Sequence, residues 1–364
     1  MLMKWTRGLQ SLLLLLIVWA APALAQDARR EIEFPDVADY QTLKCDFHMH
    51  TVFSDGQVWP TVRVAEAWRQ GLDAISITDH IEHQPHKDDV PTAHNRPYEL
   101  AEGAARQAGI LLIRGTEITR DTPPGHFNAL FLSDVEPVAT EDLLAAMEAV
   151  NKQGGFVFWN HHAWKGEERG VWMDIHQTML DRELLHAMEV ANGETYYPTA
   201  HNWCLEKGLT MIGTSDIHAP DLREQTTAEN HRTMTLVLAK DRSIDGVKEA
   251  LEAGRTIVWF KEQLIGREEF LRPFFDACLE IPPPNHRTPK SVYAVLRNAS
   301  AAEIVLERRG RVGPQEIRLP PQSSRVITIN TQKPDAPITL RYTATNFVVA
   351  PEKSLDVEIT IPAP

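Results

Sequence analysis

From Leu43 to about Phe260 the chain alternates short apolar runs with stretches in which apolar residues recur every three or four positions. This pattern predicts strands at 43–50, 74–80, 110–119, 127–132, 156–161, 187–191, 211–215, 233–238 and 256–260. Helices are predicted between most of them, at 62–70, 98–108, 141–153, 181–185, 200–206 and 244–253. Repeated strand–helix units of this length imply an α/β fold with a largely parallel sheet. Polar residues recur at the ends of many strands rather than at one crevice, which favours a closed or nearly closed barrel over an open sheet.

A helical stretch, 262–279, leads to Ile281-Pro282-Pro283-Pro284, a stiff break that neither helix nor strand tolerates. Beyond it, 291–296, 303–307, 316–319, 324–329, 338–343 and 354–361 alternate apolar and polar residues with turn residues between them. They read as a small all-β domain of sandwich type. The expected division is therefore a large α/β domain at 26–280, a proline-rich linker at 281–290 and the β domain at 291–364. The β domain carries no candidate chemistry. Packing or oligomerisation is its expected role, with carbohydrate or surface binding as the alternative.

The first residues change the picture of where the chain works. Lys4 and Arg7 precede an apolar run from Leu12 to Ala21, and Ala23-Leu24-Ala25 offers small residues around a cleavage point. Residues 1–25 therefore read as a secretory signal peptide, and the protein is expected to be exported, periplasmic or secreted. The run is about half the roughly 20 residues a bilayer span needs, so no membrane span is expected. The formal charge of −13 argues against a surface that coats nucleic acid. Three cysteines, Cys45, Cys204 and Cys278, are too few for a disulfide framework, although Cys204 and Cys278 can either pair or stay buried. Oligomeric state is not encoded in any pattern here.

Fifteen histidines are the compositional oddity, and many fall at predicted strand ends. His48 and His50 in DFHMHTVFSDG lie two apart on a strand and so point the same way, with Ser54, Asp55 and Gly56 in the turn that follows. ISITDH ends in His80, RGTEIT places Glu117 among apolar and β-branched neighbours, and PGHFNAL carries His126. FVFWNHHAW brings His161 and His162, and MIGTSDIHAP brings Asp216 and His218, again two apart. Each motif alone is weak. Together they send imidazoles and carboxylates from several strands to one end of a barrel, where α/β barrel enzymes build their sites. Nitrogen and oxygen donors without thiolates suit zinc, manganese or iron.

The ordered series H-x-H, SDG, TDH, a strand glutamate, a downstream histidine, NH and D-x-H resembles the PHP (polymerase and histidinol phosphatase) superfamily of metal-dependent phosphoesterases, over 43–260. Within it, ITDHIEHQPHKDD, PGHFNALF, VANGETYYPTAHNW and GTSDIHAP are most similar to an exported group related to a Sphingobium phosphodiesterase. The resemblance implies a distorted (βα)7 barrel with two or three divalent transition metals. It implies that His48, His50, Glu117 and Asp216 hold one metal, that Glu117 bridges to a second held with His126 and His161, and that Asp55, His80 and His218 hold a third. The family usually has proline after the histidine equated with His161, where this chain has His162. An amidohydrolase-like hydrolase and a non-catalytic metal-dependent binding protein are the rival readings; the glutamate on the third strand and the final D-x-H weigh against the first.

A small anionic phosphoester is the expected substrate, because divalent cations outweigh the charges of Asp55, Glu117 and Asp216. Hydroxide generated at the metals would attack phosphorus in line, and no serine or cysteine nucleophile is needed. A phosphodiester is preferred and a phosphomonoester is the alternative. The stretch 81–95, with His83, His86, Lys87 and His94, is expected to overhang the site. Lys165 and Arg169 are candidates to hold a phosphate oxygen, Trp164, Tyr196 and Tyr197 to line an apolar ester pocket, and His94 or His162 to act as general acid. Asp46 shares a strand face with the first two histidines and is expected to orient one of them.

Overall fold

A computed structural model describes residues 28–90, 93–223, 230–284 and 286–363. The expected signal peptide lies outside the described residues. Among the described residues no helix is long and apolar enough to cross a membrane.

The first part of the chain runs β1 (Gln41–Asp46), α1 (Pro60–Arg69), β2 (Ala74–Ile77), α2 (Arg96–Ala108), β3 (Leu111–Ile118), β4 (Phe127–Leu130), α3 (Leu143–Asn151) and β5 (Phe156–Trp159). It continues through α4 (Asp174–Asp181), β6 (Ala187–Asn192), β7 (Thr195–Tyr196), α5 (Pro198–Lys207), β8 (Thr210–Thr214), β9 (Met234–Ala239), α6 (Ile244–Glu252), β10 (Thr256–Phe260), β11 (Gln263–Ile265) and α7 (Glu268–Cys278). Strands β1, β2 and β3 pair in parallel, β4 lies antiparallel between β3 and β5, and β5, β6 and β8 are parallel again.

The seven strands β1 to β6 and β8 form a distorted barrel whose seam closes only at one end. At the lower end β1 pairs antiparallel with β9, from Gln41–Ala239 to Cys45–Thr235. Above Asp46 the chain changes partner: Asp216 N donates to His48 O at 2.9 Å and His50 N to Ile217 O at 3.0 Å. The barrel therefore shuts at the rim that carries the histidines. Gly213 on β8 lets β10 pack closely against it, since a Cβ there would meet Val258 of β10 at 2.2 Å. Inside the ring, Cys45, Phe47, Ala74, Ile113, Leu130, Phe158, Ala187 and Ile212 form one apolar cluster to which every barrel strand contributes. This plug keeps water out from below, so polar side chains above it face a site with one open end.

The second part comprises β12 (Leu279–Glu280), β13 (His286–Thr288), β14 (Ser291–Asn298), β15 (Ile304–Arg308), β16 (Glu316–Leu319), β17 (Ser324–Asn330), β18 (Ile338–Ala350) and β19 (Lys353–Ile361). One sheet is β12, β14, β13 and β17; the other contains β16, β15, β18 and β19. The alternating burial of β14, β18 and β19 is what two facing sheets require. The second sheet does not stop at the domain border, because β18 pairs in parallel with β11 (Leu264–Phe347, Ile265–Val348). A single apolar core then runs from Trp259, Leu271 and Phe274 to Phe347, Leu340 and Ile359.

Three expected elements differ. The helix expected at 181–185 lies earlier, at Asp174–Asp181, where Nδ1 of His176 accepts from Met173 N at its start; Glu183 then takes a positive φ of 54° and ends it. The helix expected over 262–279 is split, because Lys261 (φ 50°) turns the chain back to pair β11 with β10 before α7 begins. The stretch 281–290 contains β13, whose Arg287 pairs with Val292, and 281–284 ahead of it belong to no helix or strand. All three cysteines are buried and free, so Cys204 and Cys278 do not pair.

Candidate metal centre

The histidines and acids converge where β1, β2, β3 and β8 end. Nε2 of His48 and Nε2 of His50 are 3.1 Å apart, each within 3.2 Å of both Glu117 Oε2 and Asp216 Oδ1. Glu117 is fully buried and meets three further nitrogens: His126 Nδ1 at 2.8 Å, His80 Nδ1 at 3.2 Å and His161 Nε2 at 3.8 Å. Asp55 Oδ1 lies 3.2 Å from His218 Nε2, 3.6 Å from His80 Nε2 and 3.7 Å from His50 Nδ1. Gly56 makes this reach possible, since a Cβ there would strike the His50 carbonyl carbon at 2.4 Å.

Four sets of donors have ligand atoms within 4.8 Å of one another: His50, Asp55, His80 and His218; His48, His50 and Glu117; His48, His161 and Asp216; His80, Glu117 and His126. All nine residues expected to ligate fall in one cluster. The grouping is not identical to the expected one, because His126 groups with His80 rather than with His161. His161 and Asp216 both hold positive φ, 22° and 50°, a conformation uncommon outside glycine but tolerated best by Asn, Asp and His. Above the cluster opens a cavity of about 760 Å³, walled by Glu82, His83, Arg120, Trp164, Lys165 and Tyr197 among others.

A crystal structure from Bacteroides vulgatus, described as a two-domain protein containing a predicted PHP-like metal-dependent phosphoesterase, is 45% identical to this chain. It superposes with a TM-score of 0.87, covering 92% of this chain and 99% of its own. The chain belongs to the PHP-like metal-dependent phosphoesterases. Residues 279–360 match an Ig-like domain family, which agrees with the β sandwich of this phosphoesterase. A 5′-3′ exoribonuclease from Haemophilus influenzae is 36% identical over 78 residues, which span 21% of this chain and only 24% of that protein.

The cluster is suited to cations by its own chemistry. Burial alone would lower the His48 imidazole, yet Asp216, Glu189 and Glu117 outweigh burial and hold it well above its ordinary value. His50 is raised to about 9: burial opposes the rise, and Asp216 and Glu117 override it. Burial likewise works to raise Glu117, but His80, His48 and His126 push it well below the carboxylate range. So the nest demands positive charge, while two Nε2 atoms 3.1 Å apart cannot both present protons to each other. A cation in place of those protons removes the conflict, since ligation uses neutral imidazole and ionised carboxylate. Asp55 Oδ1 and Asp216 Oδ1 are buried without a hydrogen-bond partner, as ligand oxygens would be.

Glu189 on β6 belongs to this phosphoesterase's site and is not singled out by any motif. It is fully buried; Oε1 accepts from His48 Nδ1 at 2.8 Å and Thr214 Oγ1 at 2.5 Å, and Oε2 from His161 N at 2.7 Å and Asn192 Nδ2 at 2.9 Å. Holding Nδ1 leaves the His48 Nε2 lone pair facing the cluster. Its sequence signal is a lone acid in the apolar run AMEVAN. Asp46 differs from expectation: its carboxylate takes Ser215 N, Ser215 Oγ and Arg232, so it fixes the seam rather than an imidazole ring.

The residues expected around the substrate divide. Lys165, Trp164 and Tyr197 line the cavity; Arg169 is exposed and outside it, and Tyr196 turns away to bond His201 Nδ1 at 2.8 Å. His94 is not in the cavity wall, since its loop is anchored on Glu136 and its ring faces Gln84. His162 is 1% exposed, packed on Trp159, Tyr197 and Trp203, and burial lowers it to about 4. Neither is placed to donate a proton to a leaving group. Of the stretch 81–95, Glu82 and His83 overhang the cavity while His86 and Lys87 are exposed outside it.

Proposed function

We propose that this phosphoesterase is an exported phosphodiesterase with two or three divalent transition metals, of zinc, manganese or iron type. His48, His50, Glu117 and Asp216 would hold one, Glu117 with His126 and His161 a second, and Asp55, His80 and His218 a third. Such metals, when bound, supply Lewis-acid charge at a phosphoryl oxygen and a nucleophile at neutral pH.

The observation that carries the diester reading is the wall of the cavity. Outside the ligand cluster it presents three acids, Glu82, Asp121 and Glu141, against two cations, Arg120 and Lys165. Both cations are already engaged: Arg120 is paired with Glu82 and donates to Thr140 O, and Lys165 lies 3.6 Å from Asp121. A monoanionic diester suits this wall better than a dianionic monoester. Trp164, half exposed, and buried Tyr197 supply apolar surface for an ester group on one side of the phosphorus. The Haemophilus influenzae relative is named for an activity on phosphodiesters, which supports the same choice.

The test is purified protein of measured metal content, assayed with bis(p-nitrophenyl) phosphate and p-nitrophenyl phosphate. The diester is expected to turn over faster. A faster monoester rate overturns the substrate assignment, and full activity in metal-free protein overturns the mechanism.

A further inference from the structure

The seam of the barrel carries four of the nine clustered donors, His48 and His50 on one side and Asp216 and His218 on the other. Beneath it lies one arginine whose side chain is wholly buried. Arg63 on α1 has five N–H groups, and each has an acceptor. Nε donates to His50 O at 2.8 Å; one terminal nitrogen to Glu66 Oε2 at 2.7 Å and Ala219 O at 2.9 Å; the other to Ile217 O at 3.1 Å and His218 O at 2.6 Å.

We infer that Arg63 is a positioning residue that sets the distance between the His48–His50 and Asp216–His218 donor pairs. This rests on the metal-centre reading above. Four of its five acceptors are carbonyls at 50 and 217–219, just past the ends of β1 and β8, where the pairing has thinned to the bonds Asp216 N to His48 O and His50 N to Ile217 O. The guanidinium fork reinforces those two bonds. Lysine cannot, having three donors on a single nitrogen.

The fork is itself fixed by a chain of buried groups. Glu66 accepts Asp221 N at 2.8 Å, Asp221 accepts from Arg232 at 2.6 Å, and Arg232 donates to Asp46 at 3.0 Å. Asp46 returns to the seam through Ser215 N at 3.1 Å. Arg63 touches no donor side chain; it acts through the backbone of His50 and His218, whose rings stack at 4.1 Å. The set that spans the seam at this point is His50, Asp55, His80 and His218. His126 and His161 adjoin β4 and β5, whose backbone Arg63 does not bond, although His161 shares a donor set with His48 and Asp216.

The experiment is metal titration of the full chain and of Arg63→Lys, with zinc and manganese as probes and metal content read at stepped chelator concentrations. Wild type is expected to retain every equivalent. Arg63→Lys is expected to lose one equivalent selectively, with affinity down roughly 10- to 100-fold, and to show a fall in kcat with little change in KM. A merely structural role would instead lower the melting temperature and leave the metal affinities of the folded fraction unchanged, which overturns the inference. If Arg63→Lys does not fold, Glu66→Gln decides: selective weakening of one equivalent supports the inference and unaltered binding overturns it. Wild-type protein that binds no metal overturns the metal-centre reading itself, and so is distinguished from failure of Arg63 alone.

Discussion

The Glu189 carboxylate accepts the Nδ1 proton of His48 at 2.8 Å, and both side chains are fully buried. The bond fixes which imidazole nitrogen faces the cluster and makes that nitrogen more basic. Glu189→Gln preserves size and one acceptor but removes the charge. Metal affinity is expected to fall about 10- to 100-fold, with a parallel loss of kcat. Isothermal titration of metal into the chelator-treated protein checks this; unchanged affinity shows that the carboxylate serves only the fold.

Removal of metal is expected to destabilise the protein, because the cluster then confines Glu117, Glu189 and Asp216 around imidazoles that must carry the compensating charge. Restoring zinc or manganese raises the melting temperature in a concentration-dependent way, by about 2.7 kcal/mol of stability at a hundredfold excess over Kd. Differential scanning calorimetry against free metal concentration measures it. A melting temperature indifferent to metal contradicts the cluster as a binding site.

A loss of stability in acid is expected from a separate origin. Burial lowers both His176 and His201 from 6.5 to about 4. Above 6.5 neither folded nor unfolded protein protonates these rings, so they add no pH dependence. Between 6.5 and 4 the unfolded chain takes up protons that the folded protein refuses, so stability falls as pH falls; below about 4 both states are protonated and the effect levels off. Each ring contributes a slope of about 1.4 kcal/mol per pH unit in that window. His201→Leu is expected to flatten the urea-unfolding free energy by about that slope between pH 6 and 4.5. An unaltered slope assigns the lability elsewhere.

The ligand cluster was legible because its residues sit in short-period motifs. His48 with His50 and Asp216 with His218 lie two apart just past the ends of β1 and β8, and the two pairs do meet across the seam. What escaped depends on tertiary geometry. Glu189 reads as a misfit in an apolar strand; the register shift between Glu189 and Ala191 in the β6–β8 pairing is invisible in periodicity. Arg63 reads as an ordinary charge on an amphipathic helix, and only the seam above it shows what its five donors meet. His94 and Arg169 lie in loops, where no period tells which way a side chain turns. The continuity of β11 with β18 joins segments about eighty positions apart, beyond any local pattern.

That continuity is expected to make the Ig-like domain unfold together with the rest of the chain. Phe347 on β18 is fully buried, pairs with Leu264 of β11 and packs edge-on against Phe275 of α7 at 5.2 Å. Phe347→Ala is expected to cost about 3–5 kcal/mol and to lower the single calorimetric transition as a whole. Two transitions, with only the second affected, would show that the domains unfold independently.

Trp164 tests the ester pocket. Its ring is half exposed at the cavity, stands edge-on to His126 at 5.5 Å and is anchored through Nε1 to Thr122 Oγ1 at 3.2 Å. It touches the cluster's edge but offers no ligand atom, so under the proposed function its contribution would be contact area for an aromatic ester group. Such a contact binds ground state and transition state alike, which raises KM and spares kcat when it is lost. Trp164→Ala is expected to raise KM for bis(p-nitrophenyl) phosphate about tenfold, on an aromatic contribution of about 1 kcal/mol plus the lost apolar area. For a dialkyl phosphate with a small ester group the same change is expected to leave KM nearly as it was. Equal losses on the two substrates, or a fall in kcat alone, would place the indole's role in holding the loop and His126 rather than in contacting the ester.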